Sequence, residues 1–211
     1  MIISRSPLRI SLGGGSTDLP SYYRKFGGFC ISAAIDQYVY TTINHTCSDE
    51  MLIRYSHIEK VKSVEEIRHP IIKAALQITE ITDKNIEITS MADQASGTGL
   101  GSSGSFTTAL LKTLFKFKKS FISQQQLAEL ACHIEIDLLK EPIGKQDQYI
   151  AACGGLTVFD FNKDDTVNIR SLKVSDDLIN QLEDNLMMVS TGFYRAAAKV
   201  LKEQDDKSRS M

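Results

Sequence analysis

Apolar and polar positions change their period several times along the chain, and each change marks an element. Ile2–Leu12 reads as a strand that runs into Gly13-Gly14-Gly15. Phe29–Thr46 is rich in β-branched and aromatic residues and predicts a second strand, with a shorter one over Met51–Ser56. Ser63 and Glu66 have capping-box spacing, so a helix can start there. Pro70 must then kink that helix or restart it from its first position. Ile71, Ile72, Ala75, Leu76 and Ile78 carry it to about Glu80. In Asn85–Met91, Ile86 and Ile88 alternate with polar residues, the pattern of a half-buried strand.

After the glycine-rich stretch SGTGLGSSG at Ser96–Gly104, Phe106–Phe117 is an apolar helical run. Ser123 and Gln126 repeat the capping-box spacing, and Leu127, Leu130, Ala131, Ile134 and Leu138 share one stripe of the helix that follows. That helix should stop before Pro142 and Gly144. A shorter helix is predicted over Gln146–Ala152, ended by Gly154-Gly155. Strands are expected at Leu156–Phe161, Val167–Val174 and Leu186–Ser190, and helices at Ser175–Leu186 and Arg195–Glu203. The order is mixed α+β, not a regular βαβ alternation.

Composition narrows the class. The 211 residues, 42% of them apolar, can bury a real core. With 24 basic and 26 acidic side chains the formal charge is −2, which argues against nucleic acid or an anionic membrane as partner. Cys30, Cys47, Cys132 and Cys153 form no CxxC pair and read as reduced thiols of a cytoplasmic protein. The four histidines lack zinc spacing, and the N-terminus has no signal-peptide core.

The segment from Asn85 to Phe117 reads strand, glycine loop, helix. Unpaired N–H groups and the positive end of the helix dipole at such a start favour an anion. Gly97, Gly99 and Gly101 would let the backbone approach it, and Ser102 and Ser103 add hydroxyls for phosphate or Mg²⁺. A Walker loop is excluded because its lysine is missing, and GxGxxG read from Gly97 also fails because Ser102 holds its last position. On these residues alone, a flexible turn with a serine cap explains the segment equally well.

PLRISLGGGSTD at Pro7–Asp18 and SGTGLGSSG resemble the first two motifs of the GHMP kinases. GGGSTDLPSYY, EPIGKQDQYIAACGG and STGFYRAA resemble the branch of that family that phosphorylates heptose phosphates and fucose. The resemblance implies an N-terminal domain like the second domain of ribosomal protein S5 over residues 1–185. Residues 186–211 would begin a ferredoxin-like C-terminal domain. It implies ATP and Mg²⁺ as cofactors and a small-molecule sugar phosphate as acceptor, and leaves room for a homodimer. In the heptose branch the phosphoryl group goes to the anomeric C1 hydroxyl of a heptose 7-phosphate. The family's third glycine-rich motif is absent, so the expectation is a fragment of weak or no activity. The competing expectations are a kinase of a free sugar and a nucleotide-binding module without turnover.

The same resemblance assigns roles. Asp147 matches the catalytic aspartate, with Arg9 as the cation that keeps it ionised. Gly97, Thr98, Gly99, Leu100, Gly101, Ser102 and Ser103 match the nucleotide loop, and Glu135 with Ser103 matches the magnesium site. Gly14, Gly15, Thr17 and Asp18 match the sugar loop. A second phosphate needs cations, for which Arg195 within STGFYR leads Arg24, Lys25 and Lys145. Read without the family, Asp147 is a helix-start carboxylate, Glu135 a solvated boundary residue with Asp137 as its counterpart, and Asp18 a turn cap.

Overall fold

The computed structural model describes residues 1–189. In chain order the elements are β1 (Ile2–Gly13), α1 (Pro20–Phe26), β2 (Gly28–His45), β3 (Met51–Arg54), β4 (Ile58–Val61), α2 (Pro70–Thr79) and β5 (Ile86–Ala92). They continue with α3 (Ser102–Phe117), α4 (Gln124–Cys132), α5 (Gln146–Cys153), β6 (Leu156–Phe161), β7 (Val167–Ser171) and α6 (Asp176–Asp184). The mixed α+β order expected from the sequence is the order observed.

Among the described residues seven strands form one sheet, and β2 is its spine. One edge of β2 pairs antiparallel with β1, from Ile43 opposite Ile2 to Ile31 opposite Gly13. Its other edge is divided. Val39–His45 pair with β5 and Gly28–Ala33 with β6, both antiparallel. β3 lies parallel to β5, β4 flanks β3, and β7 flanks β6. Val39, Thr41 and Ile43 of β2 are buried at alternate positions, as the two-residue side-chain period requires of a strand covered on one face, and Cys30 and Ser32 alternate in the same way before an irregularity in the pairing with β1.

α3 lies across β1 and β2, with α2, α4 and α5 around it. It buries Leu110, Leu111 and Leu114 completely. Thr113 joins that face because its hydroxyl meets Thr41 Oγ1 at 2.6 Å, which satisfies two buried polar groups at once. Tyr149 of α5 meets Phe159 and Phe161 of β6 edge-on, with centroids 5.8 and 6.4 Å apart.

The structure departs from the sequence pattern at five places, the first of them α1, a short helix that the pattern does not predict. β4 is an additional short strand. Ser63 caps no helix: Val64–Glu66 is one 3-10 turn, and Glu66 accepts instead from the Lys62 N–H at 3.1 Å. The helix restarts at Pro70, in its first turn. Beyond α4 the chain widens into a π-helical turn, His133–Leu138, with the Leu139 N–H reaching Ile134 O at 3.0 Å. That extra residue per turn moves Leu138 off the apolar stripe and leaves it 48% exposed. Leu186–Val189 are exposed and outside any strand. The expected helix at Arg195–Glu203, and Arg195 itself, lie outside the described residues.

No helix among the described residues is long and apolar enough to cross a membrane. The four cysteines are free thiols.

One contact fixes the relation between α3 and α5. A Cβ added at Gly104 would stand 2.8 Å from Asp147 Cβ and 2.9 Å from the Asp147 carbonyl carbon and the Gln148 nitrogen. Alanine in a helix interior ordinarily stabilises by about 1 kcal/mol over glycine. Here Gly104→Ala should instead destabilise by about 1–3 kcal/mol, because the methyl meets backbone that cannot swing aside. Chemical denaturation of the variant checks the sign.

Candidate active site

Arg9 projects from β1 and Asp147 from the first turn of α5. Arg9 Nε and Nη2 both reach Asp147 Oδ1 at 2.7 Å. Arg9 Nη1 donates to Gly99 O, also at 2.7 Å, so one guanidinium ties the carboxylate to the glycine loop. Asp147 Oδ2 takes no hydrogen bond among the described residues. The cation thus clamps one oxygen and leaves the other for a further donor.

The loop beneath this pair is the one the glycine pattern singled out. Gly97, Gly99 and Gly101 have φ of 82°, 80° and 77°, which glycine adopts without strain. A Cβ at Gly101 would lie 3.1 Å from Arg9 Cγ and 3.2 Å from Asp147 Cγ, so loop and ion pair are in contact. The Arg9 N–H donates to Leu100 O, and Ser105 Oγ to Pro7 O, which fastens loop and helix start to β1. The Thr98 hydroxyl turns inward to Ala95 O at 3.2 Å. No side chain caps the first turn of α3, where Ser102, Ser103 and Gly104 stand. An anion can take that place.

Glu135 sits on the π-helical turn and is 1% exposed, whereas Asp137, two residues on, is exposed and bonded to His133. Residues two apart lie on opposite sides of a helix, so these two acidic neighbours face different surroundings. Glu135 Oε2 accepts the Ser103 hydroxyl at 2.5 Å and Oε1 accepts Gln148 Nε2 at 3.0 Å. Burial raises the Glu135 pKa, and the hydrogen bonds from Ser103 and Gln148 oppose the rise. A buried carboxylate beside an exposed serine at the helix start suits a partly hydrated Mg²⁺ with a nucleotide phosphate.

The loop after β1 has its own internal ties. The Thr17 hydroxyl lies 2.7 Å from Gly14 O and 2.8 Å from Phe29 O, and accepts the Phe29 N–H at 3.0 Å. A Cβ at Gly14 would fall 1.9 Å from Phe29 O, while at Gly15 the nearest atom is Ser11 Oγ at 3.6 Å. Gly14 and Thr17 therefore seat the loop on β2, and Gly15 is its open glycine. Asp18 is 7% exposed and its Oδ2 accepts the Gln146 N–H at 2.9 Å. Burial raises its pKa, and that N–H opposes the rise. Gly144 passes so close that a Cβ there would overlap the Asp18 carboxylate.

The structure thus gathers Arg9, Asp147, the loop from Gly97 to Ser103, and Glu135. Asp18 meets the same α5 start from the other side. Of the cations, Arg24 pairs with Asp165 at 2.9 Å, and Lys145 donates to Asp165 O at 2.8 Å. Sequence reasoning passed over Gln146 and Gln148. Both stand in the quoted EPIGKQDQY, but a neutral amide gives no sign of whom it will bond.

Glu135 and Asp18 hold protons more tightly folded than unfolded, so their ionisation opposes folding and the cost fades as pH falls through their raised pKa values. Glu135→Gln should therefore melt a few degrees higher than the native protein at neutral pH. That advantage should shrink as the native carboxyl becomes protonated on acidification. Thermal melts between neutral and mildly acidic pH read both effects.

Residues 67–155 match the GHMP kinases N terminal domain. The chain is 25% identical over 223 aligned residues to the D-glycero-alpha-D-manno-heptose 7-phosphate kinase of Campylobacter jejuni, covering 98% of this chain and 64% of that protein. It is 27% identical over 217 residues to the bifunctional fucokinase/GDP-fucose pyrophosphorylase of Arabidopsis thaliana, covering 92% of this chain and 20% of that one. The solved structure of a D-glycero-D-manno-heptose 1-phosphate kinase from Bacteriodes thetaiotaomicron is similar with a TM-score of 0.82 and 29% identity, over 87% of this chain and 63% of its own. This chain therefore spans a little under two thirds of the two heptose kinases. The matched stretch runs through α2, the glycine loop, the π-helical turn and α5, and over it the chain is similar to the N-terminal domain of the GHMP kinases.

Proposed function

We propose that the protein is an ATP-dependent kinase of a sugar phosphate, with the anomeric hydroxyl of a heptose 7-phosphate as acceptor. The observation that carries the reading is the asymmetric clamp on Asp147, with Oδ1 held by Arg9 and Oδ2 open above the glycine loop. An acceptor hydroxyl donating to Oδ2 would be oriented toward a phosphate at the start of α3. Its oxygen forms the new bond to phosphorus, the bond from phosphorus to the departing nucleotide oxygen breaks, and Asp147 takes the hydroxyl proton. Arg9 holds Oδ1 meanwhile and fixes the direction in which Oδ2 faces. Glu135 and Ser103 would hold Mg²⁺, which when bound neutralises charge on the phosphate oxygens.

Asp18 spends one oxygen on Gln146 and keeps the other for sugar hydroxyls, with Gly15 as the point of close approach. A cavity of about 650 Å³ begins at Leu19, the residue after Asp18, and is lined by Arg24, Lys25 and Lys140 and by the acids Asp137 and Glu141. Its three cations outnumber its two acids, and that excess supports a phosphorylated acceptor over a free sugar. The heptose kinases among the similar proteins point the same way.

Turnover of ATP with a panel of sugar phosphates by the full native chain tests the reading. Asp147→Asn should lower kcat by about 10²–10⁴-fold, the usual worth of a positioned acid–base group. Equal turnover by the two proteins would sink the mechanism. In the same assay Lys140→Ala should raise KM for the phosphorylated acceptor by roughly tenfold, one charge-assisted contact, and leave KM for the unphosphorylated sugar unchanged. Equal effects on both acceptors would remove the cavity from the acceptor site.

A further inference from the structure

The first turn of α5 carries three consecutive polar residues, and helix geometry sends them in different directions. Successive residues are about 100° apart around the axis, so Gln146, Asp147 and Gln148 cannot share a face. Gln146 bonds Asp18 through its N–H and Ser32 through its side chain at 2.7 Å. Asp147 meets Arg9. Gln148 turns the third way and meets Glu135.

Gln148 is fully buried, and its environment is uneven. Nε2 donates to Glu135 Oε1, while its own Oε1 is buried without a donor among the described residues. Turning the amide over would only bring its oxygen against a carboxylate oxygen. An amide with half its bonding capacity unmet inside the protein is a burden that an apolar side chain of the same length would not impose. Its value therefore lies in what the NH₂ group does to Glu135.

A carboxylate bonded on one oxygen alone can still rotate about its last torsion, which is broad for a terminal sp² group. Ser103 holds Oε2, but Ser103 is exposed and its hydroxyl must turn away if a cation takes that oxygen. The bond from Gln148 lies on the opposite oxygen, in the interior, and survives such an exchange. It keeps Oε2 aimed at the helix start.

We infer that Gln148 is a positioning residue that locks the Glu135 carboxylate so that its outer oxygen faces a magnesium–nucleotide at the start of α3. The inference rests on the reading of Glu135 and Ser103 as the cation-holding pair. Groups of this kind behind a metal ligand typically control affinity about 10–100-fold.

Calorimetric titration of the full native chain with a non-hydrolysable ATP analogue, once with Mg²⁺ and once with EDTA, separates the two ideas. The native protein should bind the analogue more tightly with Mg²⁺. Gln148→Met keeps the side-chain length without the donor, and Gln148→Asn keeps an amide that stops short of Glu135. Each should lose about tenfold or more of the Mg²⁺-dependent affinity, with the affinity in EDTA unchanged. Circular dichroism identifies which variants fold, and either one suffices. A folded variant with native Mg²⁺-dependent affinity overturns the inference, and so does an equal loss with and without Mg²⁺, the mark of general disruption. If the native protein itself binds equally in Mg²⁺ and EDTA, the cation reading of Glu135 fails first and takes the inference with it.

Discussion

The bare crossing of α3 over α5 at Gly104 sets everything around it. No side chain separates the two backbones there, and the residue α3 touches is Asp147. A helix start suited to an anion and a carboxylate suited to a hydroxyl are thereby held at van der Waals distance by main chain, not by flexible side chains. Arg9 completes the arrangement from β1, with one guanidinium spanning Asp147 and Gly99. The sheet below supplies the rigidity, since β1 and α3 are joined through Leu100 and Pro7 carbonyls. Precision at the site comes from elements packed on β1 and β2, where catalytic geometry is best kept.

The site also collects electrostatic cost. Glu135 and Asp18 are buried acids whose pKa values are raised, and each accepts one hydrogen bond from α5. Contrast Asp165, at the β6–β7 turn. There Tyr23, Arg24 and Lys145 surround an acid whose pKa is lowered. That cluster stabilises the ionised acid, whereas burial at Glu135 and Asp18 opposes ionisation.

Much of this was legible in the sequence, because the signals were local. The helix at Ser123 carries the capping box its spacing announced, and Pro70 restarts a helix as its φ allows. The glycine loop adopts positive φ at all three spaced glycines. What escaped was non-local. Ile58–Val61 is too short and too polar to read as a strand, and becomes one only beside β3. The Ser63 box fails because Glu66 bonds the preceding N–H. Glu135 sits on a π-helical turn, which leaves no trace in a 3.6-residue period. Thr17 and Gly14 look like ligand chemistry in sequence but are spoken for by Phe29, whose nearness only the fold reveals.

The divided edge of β2 bears on how the chain assembles. Its far half finds β5 after a modest loop, but Gly28–Ala33 wait for Leu156–Phe161, made long afterwards. Closure of so long a loop is slow, and such pairings form late. During synthesis, β1, α2 and α3 can gather while the Phe29 end of β2 remains unzipped from β6. Thr17 hangs the loop after β1 on that same end. The glycine loop and the start of α3 are thus built first, and the loop that carries Asp18 is the last to become firm.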